Sequence, residues 1–182
     1  MDSSNQKLQM DELGRMDETT FNSSPKIPVT VVLDNIRSGH NVGAFFRTAD
    51  AFRLEQIHLC GYTPQPPNKE IRKSALGATE TVAWTHKAST IESVKALKDQ
   101  GYTVFAIEQT TNSQTLEGFS FAGSKIALVF GNEVRGVEQE VIDLCDGSIE
   151  IEQRGTKHSI NVSVCGGIVL WECFKQLKFN LD

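Results

Sequence analysis

The sequence predicts a single α/β domain built on a largely parallel sheet with helices on both faces, and three observations predict it. Short β-branched or apolar runs, VTVVL at 29–33, TVFAI at 103–107 and IALVF at 126–130, have the continuous hydrophobicity of strands buried on both faces. Stretches with helical apolar spacing alternate with them, so the strands are joined by crossovers and not by hairpins. The length of 182 residues suffices for one well-buried core and is too short for two ordinary domains.

In chain order, residues 1–24 carry almost no periodic apolar signal, and Ser23-Ser24-Pro25 closes them off like a linker. They read as a mobile tail with room for one helical turn, ahead of a folded domain at 25–182. After the first strand, 29–33, the turn-rich DNIRSGHN leads into a helix over about 42–52. Its Phe45, Ala49 and Phe52 form a core stripe, while Gly43 and Arg47 share another face, where Gly43 clears space beside Arg47. A strand at 56–60 runs into GYTPQPPNKE, whose three prolines forbid regular structure and mark a surface loop. A short strand near 82–84 and an amphipathic helix over 89–100 follow, with Ser89 as its cap and Gly101 as its stop. Strands at 103–107 and 126–130 come next, then a short strand, a loop at 153–159, and a long helix in which Ile160, Val164, Ile168, Trp171 and Leu177 recur at helical spacing. Its first turn carries Ser159, Asn161 and Ser163, with Ser159 as a good cap, and its middle holds Gly166 and Gly167. Such a helix gives up propensity for small size, which implies a close approach.

Composition bounds the class. An apolar fraction of 39% with 23% charged residues is that of a soluble globular protein, without a run long enough to span a bilayer or a secretory signal at its start. The expected compartment is the cytoplasm, where Cys60, Cys145, Cys165 and Cys173, widely spaced, read as small buried hydrophobes. The net charge of −5 argues mildly against nucleic acid, but the first 24 residues hold five acidic and two basic side chains and account for most of it. Several arginines and lysines gather instead near the motifs described below.

Several suggestive patterns fail on physical grounds. GFSFAGSK at 118–125 precedes a strand where a phosphate loop should follow one, and no GxGxxG occurs. The four histidines lack metal-binding spacing, so no metal is expected. Adjacent His158 and Ser159 cannot easily face each other, and no GxSxG elbow is present, which argues against a hydrolase.

In parallel sheets ligands bind at the carboxyl ends of strands, so the turns after Leu33, Ile107, Phe130 and Ile151 are where chemistry is expected. Three motifs fall there or nearby: NVGAFFRTADAF at 41–52, FGNEVRG at 130–136, and IEIEQRGTKHSINVSV at 149–164. In this order they resemble the three motifs of the SpoU (TrmH-type) branch of the SPOUT RNA methyltransferases, and the resemblance covers roughly residues 28–177.

The resemblance implies a C-terminal trefoil knot, a homodimer to which Ile168, Val169, Trp171 and Phe174 contribute, and methyl transfer from S-adenosylmethionine to a ribose 2′-hydroxyl of RNA. Arg47, Glu133, Ser159 and Asn161 match the catalytic positions. Cofactor contacts, mostly through backbone, fall at Ile107, Gly131, Ile151, Ser159 and Ile160. Asn41, Arg47, Lys69, Arg72 and Arg135 are the candidates for RNA, with Lys73 beside them. Arg47 matches an arginine proposed as the base, yet its pKa above about 12 makes it a poor one, and positioning of the hydroxyl and its phosphate by the planar fork is the physical preference. Glu133 would fix Arg47 or the nucleotide by a charge-assisted bond, or cap its own turn. The chain departs from many relatives in reading IEQ at 151–153, where they have IPM. It is also expected to lack the extra amino-terminal RNA-binding domain of the ribosomal-RNA and antibiotic-resistance members, which favours transfer RNA over ribosomal RNA. A catalytically idle RNA-binding module with the same fold is the alternative.

Overall fold

The computed structural model describes residues 5–9, 11–121 and 125–181, the side chain of residue 180 excepted. Part of the GFSFAGSK segment therefore lies outside the described residues. Seven strands form one sheet, β1 (Ile27–Asp34), β2 (Leu54–Cys60), β3 (Ala83–Lys87), β4 (Thr103–Ile107), β5 (Gln114–Thr115), β6 (Ile126–Phe130) and β7 (Gly147–Glu150). Their order is β3-β2-β1-β6-β4-β7-β5, and every pairing is parallel. Val31 stands in register with Ile57 on one side and Leu128 on the other, so the β-branched run lies at the centre of the sheet.

Alternation along the strands divides the core in two. Val29, Val31 and Leu33 of β1 face one layer, made with helices α2 (Gly39–Ala51), α3 (Lys69–Ala75) and α7 (Val162–Leu177). Val32, Val104, Ala106 and Val129 face the other, where α5 (Thr90–Asp99) contributes Val94 and Leu97 and α6 (Gln139–Ile142) contributes Val141. The short α4 (Ala78–Thr81) follows α3 directly. Within the segment read as a tail, α1 (Glu18–Ser23) is capped by Asp17, and its Phe21 is buried. Lys26 stands over the Phe21 ring, its Nζ 4.0 Å from the centroid.

Two local expectations are corrected. Gly43 does not clear space beside Arg47. A Cβ there would come within 2.1 Å of Ser74 Oγ and 2.6 Å of the Ile71 carbonyl, so the glycine is where α3 crosses α2. Nor does Ser159 cap the last helix. The chain stays irregular through residue 160, and the cap is Asn161, whose Oδ1 accepts from Ser163 N–H (2.9 Å) and Val164 N–H (3.3 Å). An amide two residues later does what the serine was expected to do, because residues 151–160 are needed elsewhere as a loop.

The close approach expected at the glycine pair belongs to Gly166 alone. A Cβ there would lie 2.2 Å from the Phe45 ring of α2, whereas at Gly167 it would meet open space. Gly166→Ala forces that fully buried ring off its position and should cost about 1–3 kcal/mol through overpacking, measurable by urea unfolding. A loss under a few tenths of a kcal/mol would show that the α2–α7 contact is looser than described.

A buried polar pair sits in the second layer. His58 Nδ1 is 2.7 Å from Ser93 Oγ, and burial, with a smaller contribution from the positive charge of Lys87, pushes the imidazole down to about 4. The folded state thus holds His58 neutral while the unfolded chain protonates it near its ordinary value, so the contribution is complete above about pH 6.5 and is lost as pH falls towards 4. Between pH 8 and pH 5 this amounts to about 2 kcal/mol. His58→Gln should flatten that part of the stability-against-pH curve, and an unchanged slope would assign the acid lability to other groups.

Candidate active site

The turns that follow β4, β6 and β7 meet at the carboxyl edge of the sheet around a cavity of about 570 Å3, and the turn after β1 does not line it. Its apolar walls include Ile107, Ile149, Ile151, Ile160 and Val162, and its polar groups include Glu108, Gln109, Glu133, Arg135 and Asn161. Gly131 opens the turn after β6. A Cβ there would fall 2.1 Å from the carbonyl carbon of Gly136, because the turn closes on itself through Asn132 N–H to Gly136 O (3.0 Å) and Gly136 N–H to Asn132 O (2.9 Å).

Glu133 leaves that turn and crosses to the start of α2. Its Oε2 accepts from Arg37 N–H (2.8 Å), and its Oε1 accepts from Ser38 N–H (3.0 Å) and Asn41 Nδ2 (2.9 Å). Asn41 Oδ1 in turn accepts from Asn161 Nδ2 (3.2 Å), and Asn161 caps α7. The three sequence motifs are therefore joined in a single run of hydrogen bonds. Partial burial alone would raise the Glu133 pKa, but the bonds from Arg37, Asn41 and Ser38 outweigh it and hold the carboxyl below its ordinary range.

Within the chain, the Glu133 carboxylate thus bonds the entry of α2 and neither Arg47 nor its own turn. Arg47 lies two turns along α2, exposed, in a separate cleft of about 330 Å3 with Glu18, Asp50 and Thr81. Ile107, Gly131, Arg135, Ile151, Ser159, Ile160 and Asn161 line the main cavity, whereas Lys69 and Arg72 stand exposed on α3, outside it. Ser159 is exposed and makes no hydrogen bond to the protein among the described residues. The exposed stripe of α7, Val164, Ile168 and Trp171, faces away from the core that Val169, Leu170, Cys173 and Leu177 complete.

Several cavity residues escaped the sequence reading, Glu108 foremost among them. Glu108 follows β4, its Oε2 accepts from Val137 N–H (3.0 Å) and its Oε1 from Gln109 N–H (2.9 Å), so it pins the far end of the 131–137 turn. The signal was its position directly after a central strand, a turn already marked for chemistry, but only the preceding isoleucine was named. Cys165 also lines the cavity. Burial pushes its thiol up to about 11, so it stays protonated and is no nucleophile.

The profile of the SpoU rRNA methylase family matches residues 28–171, most of the chain and all three motifs. The chain belongs to the SpoU methylase family. A tRNA (guanosine(18)-2′-O)-methyltransferase of Thermus thermophilus is 30% identical over 168 residues, 92% of this chain and 84% of that one. A 23S rRNA (guanosine-2′-O-)-methyltransferase of Blochmanniella floridana is 31% identical, over 85% of this chain and 60% of its own length. Among solved structures, an AdoMet-bound rRNA methyltransferase from Sinorhizobium meliloti superposes with a TM-score of 0.78 at 26% identity, covering 86% of this chain and 60% of that one. The A. aeolicus TrmH/SpoU tRNA modifying enzyme gives a TM-score of 0.78 at 24% identity, over 89% of this chain and 81% of that one, a likeness of fold.

The shared carboxylate makes a measurable claim about this SpoU chain. Hydrogen bonds to a charged acceptor contribute about 1.5–3 kcal/mol, so Glu133→Ala should raise amide exchange at Arg37 and Ser38 roughly ten- to hundredfold after correction for intrinsic rates. Protonation does the same. Protection is present at neutral pH and disappears as pH falls through the lowered pKa of Glu133. Unchanged protection in the alanine variant would mean that the α2 entry loop holds itself.

Proposed function

We propose that residues 25–182 form a methyltransferase domain that transfers a methyl group from S-adenosylmethionine to a ribose 2′-hydroxyl of transfer RNA, in the cytoplasm and as a homodimer. The observation that carries this reading is the run Glu133–Asn41–Asn161, which gathers the three family motifs at the mouth of one cavity. Transfer RNA is favoured because the relative named for it is matched over 84% of its length, against 60% for the one named for ribosomal RNA. A catalytically idle module is disfavoured because the exposed hydroxyl of Ser159 has no structural duty to explain it. The cytoplasm is supported by four free cysteines, and no described helix is long and apolar enough to cross a membrane.

The cavity fits the cofactor. Ile107, Ile151, Ile160 and Val162 offer apolar faces to an adenine ring and keep water from it, and the carboxylates Glu108 and Glu133 suit a neighbouring sulfonium charge. When bound, S-adenosylmethionine supplies an electrophilic methyl group. Glu133 is a positioning residue, because both of its oxygens are already engaged by the α2 entry loop. Ser159, at the cavity edge with a free hydroxyl, holds the acceptor ribose and relays its proton to solvent water as the oxygen takes the methyl group. Arg47 orients the hydroxyl and the adjoining phosphate through its planar fork.

Arg47 makes the homodimer part of the proposal. In one chain it opens into the second cleft, away from the cavity, while α7 leaves Val164, Ile168 and Trp171 uncovered. A second copy seated on that stripe would bury the apolar side chains and bring in the arginine that one chain's cavity lacks. The trefoil threading is proposed alongside it, and is supported by the way the chain, after β7 near one edge of the sheet, returns to pack α7 against α2.

The test is methyl transfer from labelled S-adenosylmethionine to total transfer RNA and, separately, to ribosomal RNA, followed by nucleoside analysis. A 2′-O-methylated nucleoside from transfer RNA is expected. Arg47→Ala should abolish transfer while cofactor affinity stays within about twofold, since a positioned guanidinium acts on the acceptor and not the donor. Chains carrying Arg47→Ala and Ser159→Ala, each inactive alone, should regain activity when mixed. Absence of complementation would place both residues on one chain's site, and loss of cofactor binding in Arg47→Ala would sink its assignment.

A further inference from the structure

We propose that Tyr62 is a stacking platform for an unpaired base of the substrate RNA, beside the nucleotide that enters the cavity. This rests on the RNA-methylating function proposed above. Tyr62 follows β2 at the carboxyl edge of the sheet, and 62% of its surface is exposed. Exposed tyrosines ordinarily move among rotamers, but this one is fixed at both ends. Its backbone N–H donates to Asn35 Oδ1 (3.2 Å), and its Oη accepts from Asn132 Nδ2 (2.9 Å).

The side chain that holds the ring is itself fully committed. Asn132 is buried, its Oδ1 accepts from Val134 N–H (2.9 Å) and Arg135 N–H (3.1 Å), and its second Nδ2 proton goes to the Asn35 carbonyl (2.7 Å). Two backbone donors on Oδ1 leave no doubt which end of the amide faces Tyr62. Because Nδ2 is the donor, the phenol keeps its own proton to give to a ligand. The neighbouring turns are docked to suit. Asn35 is left-handed (φ 54°), and at Gly61 (φ 60°) a Cβ would lie 2.0 Å from Asn35 Oδ1, so no larger residue can precede the tyrosine. Thr63 Oγ1 completes the join by accepting from Ile36 N–H (3.0 Å) and donating to Leu33 O (3.1 Å).

A water-exposed ring with its entropy already lost is suited to a flat, apolar-faced partner. The charges around it say which. Arg37 and Arg135 stand exposed on the two turns to which Tyr62 is tied, and Lys69 begins α3 at the end of the Tyr62 loop. In a chain of net charge −5, an aromatic ring among cations at this rim is complementary to a phosphate-linked base. Asn132 also opens the turn that carries Glu133, so a base on Tyr62 is mechanically tied to the cavity wall.

Stacking one base on an aromatic side chain changes affinity by roughly five- to hundredfold. With purified full-length chain and bulk transfer RNA, Tyr62→Ala should raise the RNA KM about tenfold, leaving kcat at saturating RNA and the S-adenosylmethionine Kd unchanged. Tyr62→Phe and Tyr62→Trp keep the flat face and should stay within about threefold of the parent, and the emission of the introduced indole should be quenched by RNA. An unchanged KM in Tyr62→Ala, or an equal rise in Tyr62→Ala and Tyr62→Phe, overturns the proposal in favour of a purely supporting role for the phenol. If the alanine chain does not fold, absence of quenching in Tyr62→Trp overturns it equally. Failure of the parent chain to bind any RNA would instead defeat the proposed function, and this inference with it.

Discussion

Both oxygens of Glu133 are engaged by groups almost a hundred residues away, and the geometry of the cleft depends on that crossing. The turn after β6 and the entry to α2 are each irregular backbone at the edge of a parallel sheet, with N–H groups that no ladder satisfies. One carboxylate satisfies two of them and orients the amide of Asn41, which in turn accepts from Asn161 at the first turn of α7. A small ionised group thereby does what a longer stretch of secondary structure would otherwise do. It also sets the separation between the wall of the cavity and the helix that flanks its mouth. Glu108 repeats the device at the other end of the same turn through Val137 N–H, so the 131–137 segment is clamped from both sides.

The strands were legible because burial on both faces leaves a plain signature, and VTVVL, TVFAI and IALVF lie within or on β1, β4 and β6. Helix α5 was equally plain, with Ser89 capping it through Glu92 N–H and Gly101 left-handed just beyond its end. Of the site positions named from the sequence, Ile107, Gly131, Ile151 and Ser159–Asn161 line the cavity while Arg47, Lys69 and Arg72 lie outside it, and the contacts among them were not legible. Motif spacing could associate Glu133 with Arg47, but which donor a carboxylate finds is decided by how the turns dock, and Arg37 and Ser38 N–H lay closer. Gly43 misled for a similar reason, since the space it makes is taken by α3, which comes from much later in the chain. The cap of α7 was misplaced by two residues because serine and asparagine are near-equal caps, and only the course of the loop through residue 160 chooses between them.

Helix α7 shows how far one chain's energetics account for its sequence. Gly166 lets Phe45 approach, and Val169, Leu170, Cys173 and Leu177 complete the core, which leaves Val164, Ile168 and Trp171 in solvent at a four- and then three-residue spacing. Scattered exposed hydrophobes need no explanation, but a stripe along one helix face does. Trp171 is stacked on Phe174 and tilted against Phe52, so the stripe is rigid at its far end as well as apolar. An ordered apolar ridge costs free energy in water and gains it when covered. The helix beside it, α2, carries at one end the asparagine that joins the cavity and, two turns on, the arginine that the cavity does not reach. The second copy proposed above would cover the ridge and carry an arginine to the cavity in a single contact, so under that proposal the uncovered helix face and the remote Arg47 are one observation and not two.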